Sequence, residues 1–165
     1  MANSRSSVID IDHGYKTFME GMRRLEAGPS VKVGFLEGQK DQRDDGGPTN
    51  VEIAIWAEFG TRTEPERSFM RSTMDEHRDE YQKLAERLSV AVAQGKMDEK
   101  RALGLIGERV AADIRKKILS NIPPENAPST LAAKYPKART LVVSGQLAGA
   151  LTYEVDLSGD AGDQK

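Results

Sequence analysis

The stretch "SFMRSTMDEHRDEYQKLAERLSVAVAQGKMDEKRALGLIGERVAADIRKKILS", residues 68–120, decides the fold. Its first half places Met70, Met74, His77, Tyr81, Leu84 and Leu88 at steps of four and three. That spacing returns to one side of a helix at every turn and makes a heptad-like seam, suited to pairing with a second helix. Gly95 supplies a stop, and Asp98 supplies a side-chain acceptor for the start of the next helix. Leu103, Ile106, Val110, Ile114 and Ile118 then share one stripe. The connection through Gly95 and Lys96 is short, so an antiparallel helical hairpin is predicted over 68–120. Asp79–Lys83 and Asp113–Lys117, at i,i+4, are expected to add about 0.2–0.5 kcal/mol each.

Upstream, Tyr15, Phe18, Met19, Met22 and Leu25 recur at helical spacing, with Asp12 before them as a cap and Gly28-Pro29 after them as a stop. In "VKVGFL", Val31, Val33 and Phe35 alternate with Lys32 and Gly34, the period of a half-buried strand. Residues 37–50 are polar and Gly-rich and are read as a flexible loop. Thr49 or Asn50 caps a short helix, "VEIAIWAEF", which ends at Gly60 and is expected to bury Ile53, Trp56 and Ala57 on one face.

Downstream, the prolines of "SNIPPENAPS" break the helical pattern. Ser129 caps a brief "TLAAKY" turn, "TLVV" reads as a strand, and Ser144 caps "GQLAGA". "LTYEVDL" is a strand with Leu151, Tyr153, Val155 and Leu157 on one side and Thr152, Glu154 and Asp156 on the other. Strands near both ends of the chain must meet to bury their apolar faces. The expected fold is therefore a single α+β domain over residues 1–165, a small, mostly antiparallel sheet packed against helices. Residues 1–9 and 158–165 are expected to be flexible tails.

With 165 residues, 30% of them charged and 38% hydrophobic, the chain has enough apolar matter for a thin core and long charged helix faces. A formal net charge of −2 lacks the basic balance of a dedicated nucleic-acid binder. The absence of cysteine excludes disulfides, thiolate catalysis and Cys-based zinc sites. No apolar run approaches a membrane span, and "MANSRSSVIDIDHGYK" has no apolar core of a secretory signal. A reducing cytoplasm, or a particle assembled there, is the expected compartment.

Signs of catalysis are sparse. Asp41, Asp45, Gly46 and Glu52 fall where an EF-hand loop has its first, fifth, sixth and last positions, but Arg43 stands where an oxygen ligand belongs. A solvated loop is the better reading, and no metal or other cofactor is expected. His13 and His77 have no evident partners, and no Ser-His-Asp set, nucleophile elbow or Walker loop is present. Arg109, Arg115, Lys116 and Lys117 make a basic end to the second hairpin helix. Dipole compensation on a solvated face accounts for them, with a DNA-binding module over 98–120 as the alternative.

The segment 56–71 gathers Trp56, Phe59, Phe69 and Met70 around Arg62, Glu64, Glu66, Arg67 and Arg71. Its plain reading is core packing of Trp56 and Phe59 beside a wet turn. Alternating charges around aromatic residues also suit a subunit boundary, where Arg and aromatic anchors concentrate.

"IAIWAEFGTRTEPERSFMR" resembles a signature of bacteriophage tail-component proteins, the tail-completion and head–tail joining group of long-tailed phages. That signature is an apolar helix ending in Glu-Phe-Gly-Thr, a short turn, and Pro-x-Arg-x-Phe-Met-Arg opening a long helix. "VKVGFLEG", "APSTLAAKY" and "LVVSGQLAGALTYEV" are similar to further blocks of the group, in the same order over about residues 30–157. Glu64, Glu66, Ser68 and Ser144 depart from its usual residues. The resemblance implies a virion structural protein without catalysis, found in the neck or tail of the particle and in the host cytoplasm during assembly. It would form a ring, six-fold by the resemblance, against connector and tail-tube proteins, with DNA only as passing cargo. It implies that Glu58, Phe59, Gly60 and Thr61 form the rigid exit of the short helix. Together with Arg62, Arg67, Phe69, Met70 and Arg71, these four are expected to make the contact with a neighbouring subunit.

Overall fold

The structure is a computed structural model and describes residues 15–26, 28–35, 47–126, 128, 141 and 145–158. In chain order its elements are α1 (Tyr15–Glu26), β1 (Ser30–Gly34), α2 (Asn50–Phe59), α3 (Met70–Ala93), α4 (Glu99–Leu119), α5 (Gln146–Ala150) and β2 (Thr152–Asp156). The architecture is α+β, with long helices packed against a two-stranded antiparallel sheet. The TLAAKY turn, most of the TLVV strand, the tails over 1–9 and 159–165, and most of the loop 37–50 lie outside the described residues.

The hairpin of α3 and α4 forms as its sequence dictates. At the turn, Gly95 has φ +69°. The Gly95 N–H donates to the Val92 carbonyl at 2.9 Å, and the Lys96 N–H donates to the Ala91 carbonyl at 2.9 Å. These are the paired bonds of a Schellman motif, which satisfies the last carbonyls of α3. The Asp98 side chain accepts from the Arg101 N–H at 2.8 Å and opens α4. Val110, Ala111, Ile114 and Ile118 of α4 are buried and make the spine of the core, joined by Tyr81 and Phe69.

Neither expected i,i+4 ion pair forms. Asp113 instead accepts from Arg109 at 2.8 Å and from the Tyr81 hydroxyl at 3.1 Å. Lys117 reaches across to Glu76, and no ion pair joins Asp79 to Lys83. Asp113 thus keeps a partner on its own helix, Arg109 one turn earlier, while Lys117 and the Tyr81 hydroxyl make bonds that tie α3 to α4. Met74, expected on the seam, is exposed.

The sheet joins the two ends of the described chain. Val31 pairs with Val155 and Val33 with Tyr153, so these four share one face, toward α4. α4 admits them through Gly107, where an added Cβ would lie 2.7 Å from the Tyr153 ring and 2.8 Å from Val31. Arg115 of α4 donates to the Leu151 carbonyl at 2.6 Å, just before β2. Leu157, expected in the strand, lies past its end and is exposed. On the other side, α1 crosses the end of α3 at Gly21, where a Cβ would lie 2.6 Å from the Ala93 Cα. Phe18, one of the apolar residues at helical spacing, is exposed.

Candidate interaction surface

The residues singled out by the sequence converge on the corner where α2 ends and α3 begins. α2 opens with a capping box. The Glu52 N–H donates to Thr49 Oγ1 at 3.2 Å, and the Thr49 N–H donates to Glu52 Oε2 at 2.8 Å. Glu52 thus commits its carboxylate to the helix start. Asp41, Asp45 and Gly46 of the calcium-like pattern lie outside the described residues, as does His13. Among the described residues no group of His, Asp and Glu is arranged to hold a metal ion.

α2 stops at Gly60, whose φ of +72° favours glycine. A Cβ there would also press to 2.9 Å from the Glu66 nitrogen. Thr61 organises the turn beyond. Its hydroxyl accepts from the N–H of Thr63 at 3.2 Å and of Glu64 at 2.9 Å, and its own N–H donates to the Glu64 carbonyl at 2.8 Å. The Arg67 N–H then returns to the Ala57 carbonyl at 2.8 Å, folding the turn back on the helix it left.

α3 begins at Met70 with Phe69 in the cap position and no side-chain cap of its own. Glu58 supplies the cap from α2. Its Oε2 accepts from the N–H of Phe69 at 2.8 Å and of Met70 at 2.9 Å. Its Oε1 accepts from the Arg71 N–H at 2.9 Å, Ser68 Oγ at 2.8 Å and Arg71 Nε at 3.0 Å. Burial is the largest single influence on this carboxyl and opposes its ionisation. The N–H groups of Arg71 and Met70, the Ser68 hydroxyl and the Phe69 N–H together outweigh burial and hold it below the usual carboxylate range. A carboxylate at a helix N-terminus also meets the positive end of the helix dipole.

Arg67 and Phe69, expected near a neighbouring subunit, lie inside the chain instead. Arg67 is 6% exposed; its Nε donates to the Pro124 carbonyl at 2.8 Å and its Nη2 to the Glu125 carbonyl at 3.3 Å. A guanidinium can be buried so because carbonyl oxygens and Glu64, at 3.3 Å, receive its N–H groups. Phe69 is 0% exposed and meets Phe35 edge to face, ring centres 6.2 Å apart. Met70 is half-buried against the same core. Glu58 is likewise internal. Thr61 and Arg62 are exposed, as is much of Arg71, whose guanidinium lies 4.7 Å over the Phe59 ring.

Trp56, expected in the core, is 45% exposed, and Ile55 and Phe59 are 50% and 62% exposed. The helix is turned the other way. Asn50, Ala54, Ala57 and Glu58 face inward, at the spacing of one helical face. Two causes fix this rotation. The small Ala54 and Ala57 let α2 approach Leu147 and Ala148 of α5 within one cluster, and Glu58 must reach the start of α3. Ile55, Trp56 and Phe59 then form a contiguous apolar stripe on the outside. The sequence does carry one sign of it: "NVEIAIWAEF" is apolar nearly all round, the composition of a helix covered on every side.

The basic end of α4 is largely engaged within the chain: Arg109 bonds to Asp113 and Glu80, Arg115 to the Leu151 carbonyl, and Lys117 to Glu76. His77 lies half-buried beside the Tyr81 ring, centres 5.7 Å apart. No helix among the described residues is long and apolar enough to cross a membrane. Comparison of the chain with models of protein families, with curated proteins and with solved structures finds no match in any of the three.

Proposed function

We propose that this chain is a structural protein of a tailed phage particle, acting at the neck or the tail terminus. It assembles as a closed ring, six-fold by the resemblance, that completes the tail and joins it to the head. Its partners are further copies of itself, the adjacent connector and the tail-tube proteins; DNA passes through as cargo, and no catalysis is involved. Assembly takes place in the host cytoplasm.

The observation that carries this reading is the outward stripe of α2. Ile55, Trp56 and Phe59 face solvent on a helix whose other side is already packed, and aromatic and aliphatic surface in one place marks an interaction site. The stripe adjoins the Glu58-Phe59-Gly60-Thr61 and Arg67-x-Phe69-Met70-Arg71 blocks on which the resemblance rests. Those blocks make the corner that holds it, so a rigid platform stands behind the apolar face. A contact repeated head to tail closes into a ring when its rotation allows.

Negative-stain microscopy and sedimentation velocity of the purified protein, alone and mixed with tails and filled heads, test the reading. Ring-shaped particles, and addition of those rings to tail ends, are expected. A protein that stays monomeric and adds to neither structure would sink it.

A further inference from the structure

On the solvent side of the hairpin, α3 and α4 frame a groove of about 660 Å³. Tyr81, Leu84 and Leu105 line it, and Lys83, Arg87 and Arg109 stand among its polar residues. The volume lies within the about 300–1,000 Å³ in which pockets enclose most of a small ligand. Leu105 is 40% exposed there. Among the described residues Lys83 and Arg87 have no carboxylate partner, and Arg87 donates to the Lys83 carbonyl.

These features complement the α2 stripe. Aromatic ring faces attract cations, and the Arg71 guanidinium over Phe59 already shows such a contact on this molecule. Among the described residues no cation lies over the Trp56 ring, and the groove offers Lys83 and Arg87 beside Tyr81, Leu84 and Leu105, with Glu80 and Glu86 also in its lining. The two surfaces cannot meet within one chain. Phe59 sits at the start of α3, whereas the groove runs along α3 from Glu80 to Arg87, about 15–25 Å further on at 1.5 Å rise per residue. A contact between them therefore joins different copies; carried in one direction from copy to copy, as the ring reading requires, it is head-to-tail.

We propose that the Ile55, Trp56 and Phe59 stripe of one copy seats in the α3–α4 groove of the next. This rests on the ring reading and names the surfaces that would make the ring. Trp56 is the central anchor, placed between Leu84 and Leu105, with Lys83 or Arg87 of the neighbour over its ring. The exposed turn from Thr61 to Glu66 supplies a polar rim around that anchor, as protein interfaces require.

The test uses two variants, each broken on one surface: Trp56→Arg on the stripe and Leu105→Arg in the groove. Both positions are exposed, and thermal melts matching the wild type check that the fold is kept. Each variant alone is expected to lose every species larger than the monomer. An equimolar mixture is expected to regain one species only, a dimer, through the single intact junction. The cysteine-free sequence allows that dimer to be trapped. Arg62→Cys on the Leu105→Arg chain and Glu86→Cys on the Trp56→Arg chain should join through a short bismaleimide. The reversed placement of the two cysteines should give at least ten-fold less product. Equal product from both placements overturns the proposal. Wild-type assembly by the Leu105→Arg variant alone also overturns it, while the ring reading survives. A wild-type chain that remains monomeric and adds to neither heads nor tails overturns both.

Discussion

Glu58 is the residue on which the corner turns. One carboxylate receives three backbone N–H groups, a hydroxyl and a guanidinium, and so closes a helix that lacks a cap of its own. Leaving those donors unsatisfied in a buried place costs about 1–3 kcal/mol. Glu58→Gln should therefore lower unfolding stability by about that much, measured as a shift of the urea midpoint at unchanged slope. The same carboxyl sets a pH dependence. Its folded pKa lies below its ordinary value of 4.5, so the unfolded chain binds its proton more readily. The stability it contributes is complete above 4.5 and is lost as pH falls through the lower folded value. Stability measured below pH 4.5 should fall less steeply in Glu58→Gln than in the wild type.

Two phenylalanines ten residues apart make opposite predictions. Phe69→Ala empties a fully buried site and should cost about 3–5 kcal/mol. Phe59→Ala removes an exposed ring and one contact with Arg71, so the monomer should lose no more than about 1 kcal/mol. Denaturant titration separates the two. The sequence does not distinguish them, since both stand beside charged residues. What separates them is the rotation of α2 and the arrival of Phe35 from a distant strand.

At the scale of elements, what was legible is what is local. Gly95 and Asp98 end and start their helices through bonds to residues within five positions. The β1 and β2 alternation anticipated which residues of each strand share a face, but not the register that pairs Val31 with Val155 and Val33 with Tyr153. α2 was legible as a helix, with its cap and its stop, but its orientation was not. A helix apolar on nearly every side has no direction written in its periodicity. That direction comes from a carboxylate that serves another helix and from alanines small enough for close packing. The glycines in helices are a further case. Gly107→Ala should cost about 1–3 kcal/mol, because the new methyl meets Tyr153 and Val31, despite the better helix propensity of alanine. Gly149→Ala, with nothing within 4 Å of its Cβ position, should be neutral or stabilising by up to about 1 kcal/mol. Paired thermal melts of the two variants check this.

For the whole molecule, the proposed seating of the outward aromatic stripe against Leu84 and Leu105 of the next copy predicts how assembly would respond to salt. Apolar burial is maintained or strengthened by sulfate, whereas contacts to a phosphate backbone weaken steeply as salt rises. Sedimentation across a salt series should show the oligomer persisting or growing. The internal pairing of Arg109, Arg115 and Lys117 points the same way, since cations held by their own chain are less available to a polyanion.

The carboxylate bridge between α2 and α3 has a mechanical consequence. It welds a short helix to a rod of 24 residues, about 36 Å long. In the proposed assembly, torque applied by a neighbour at α2 would be carried into that rod through the Glu58 bonds. A tilt of about 5° at the corner would sweep the far tip, at Gly95, through about 3 Å by simple lever arithmetic on that length. Small adjustments of grip would thus steer the remote end of the molecule.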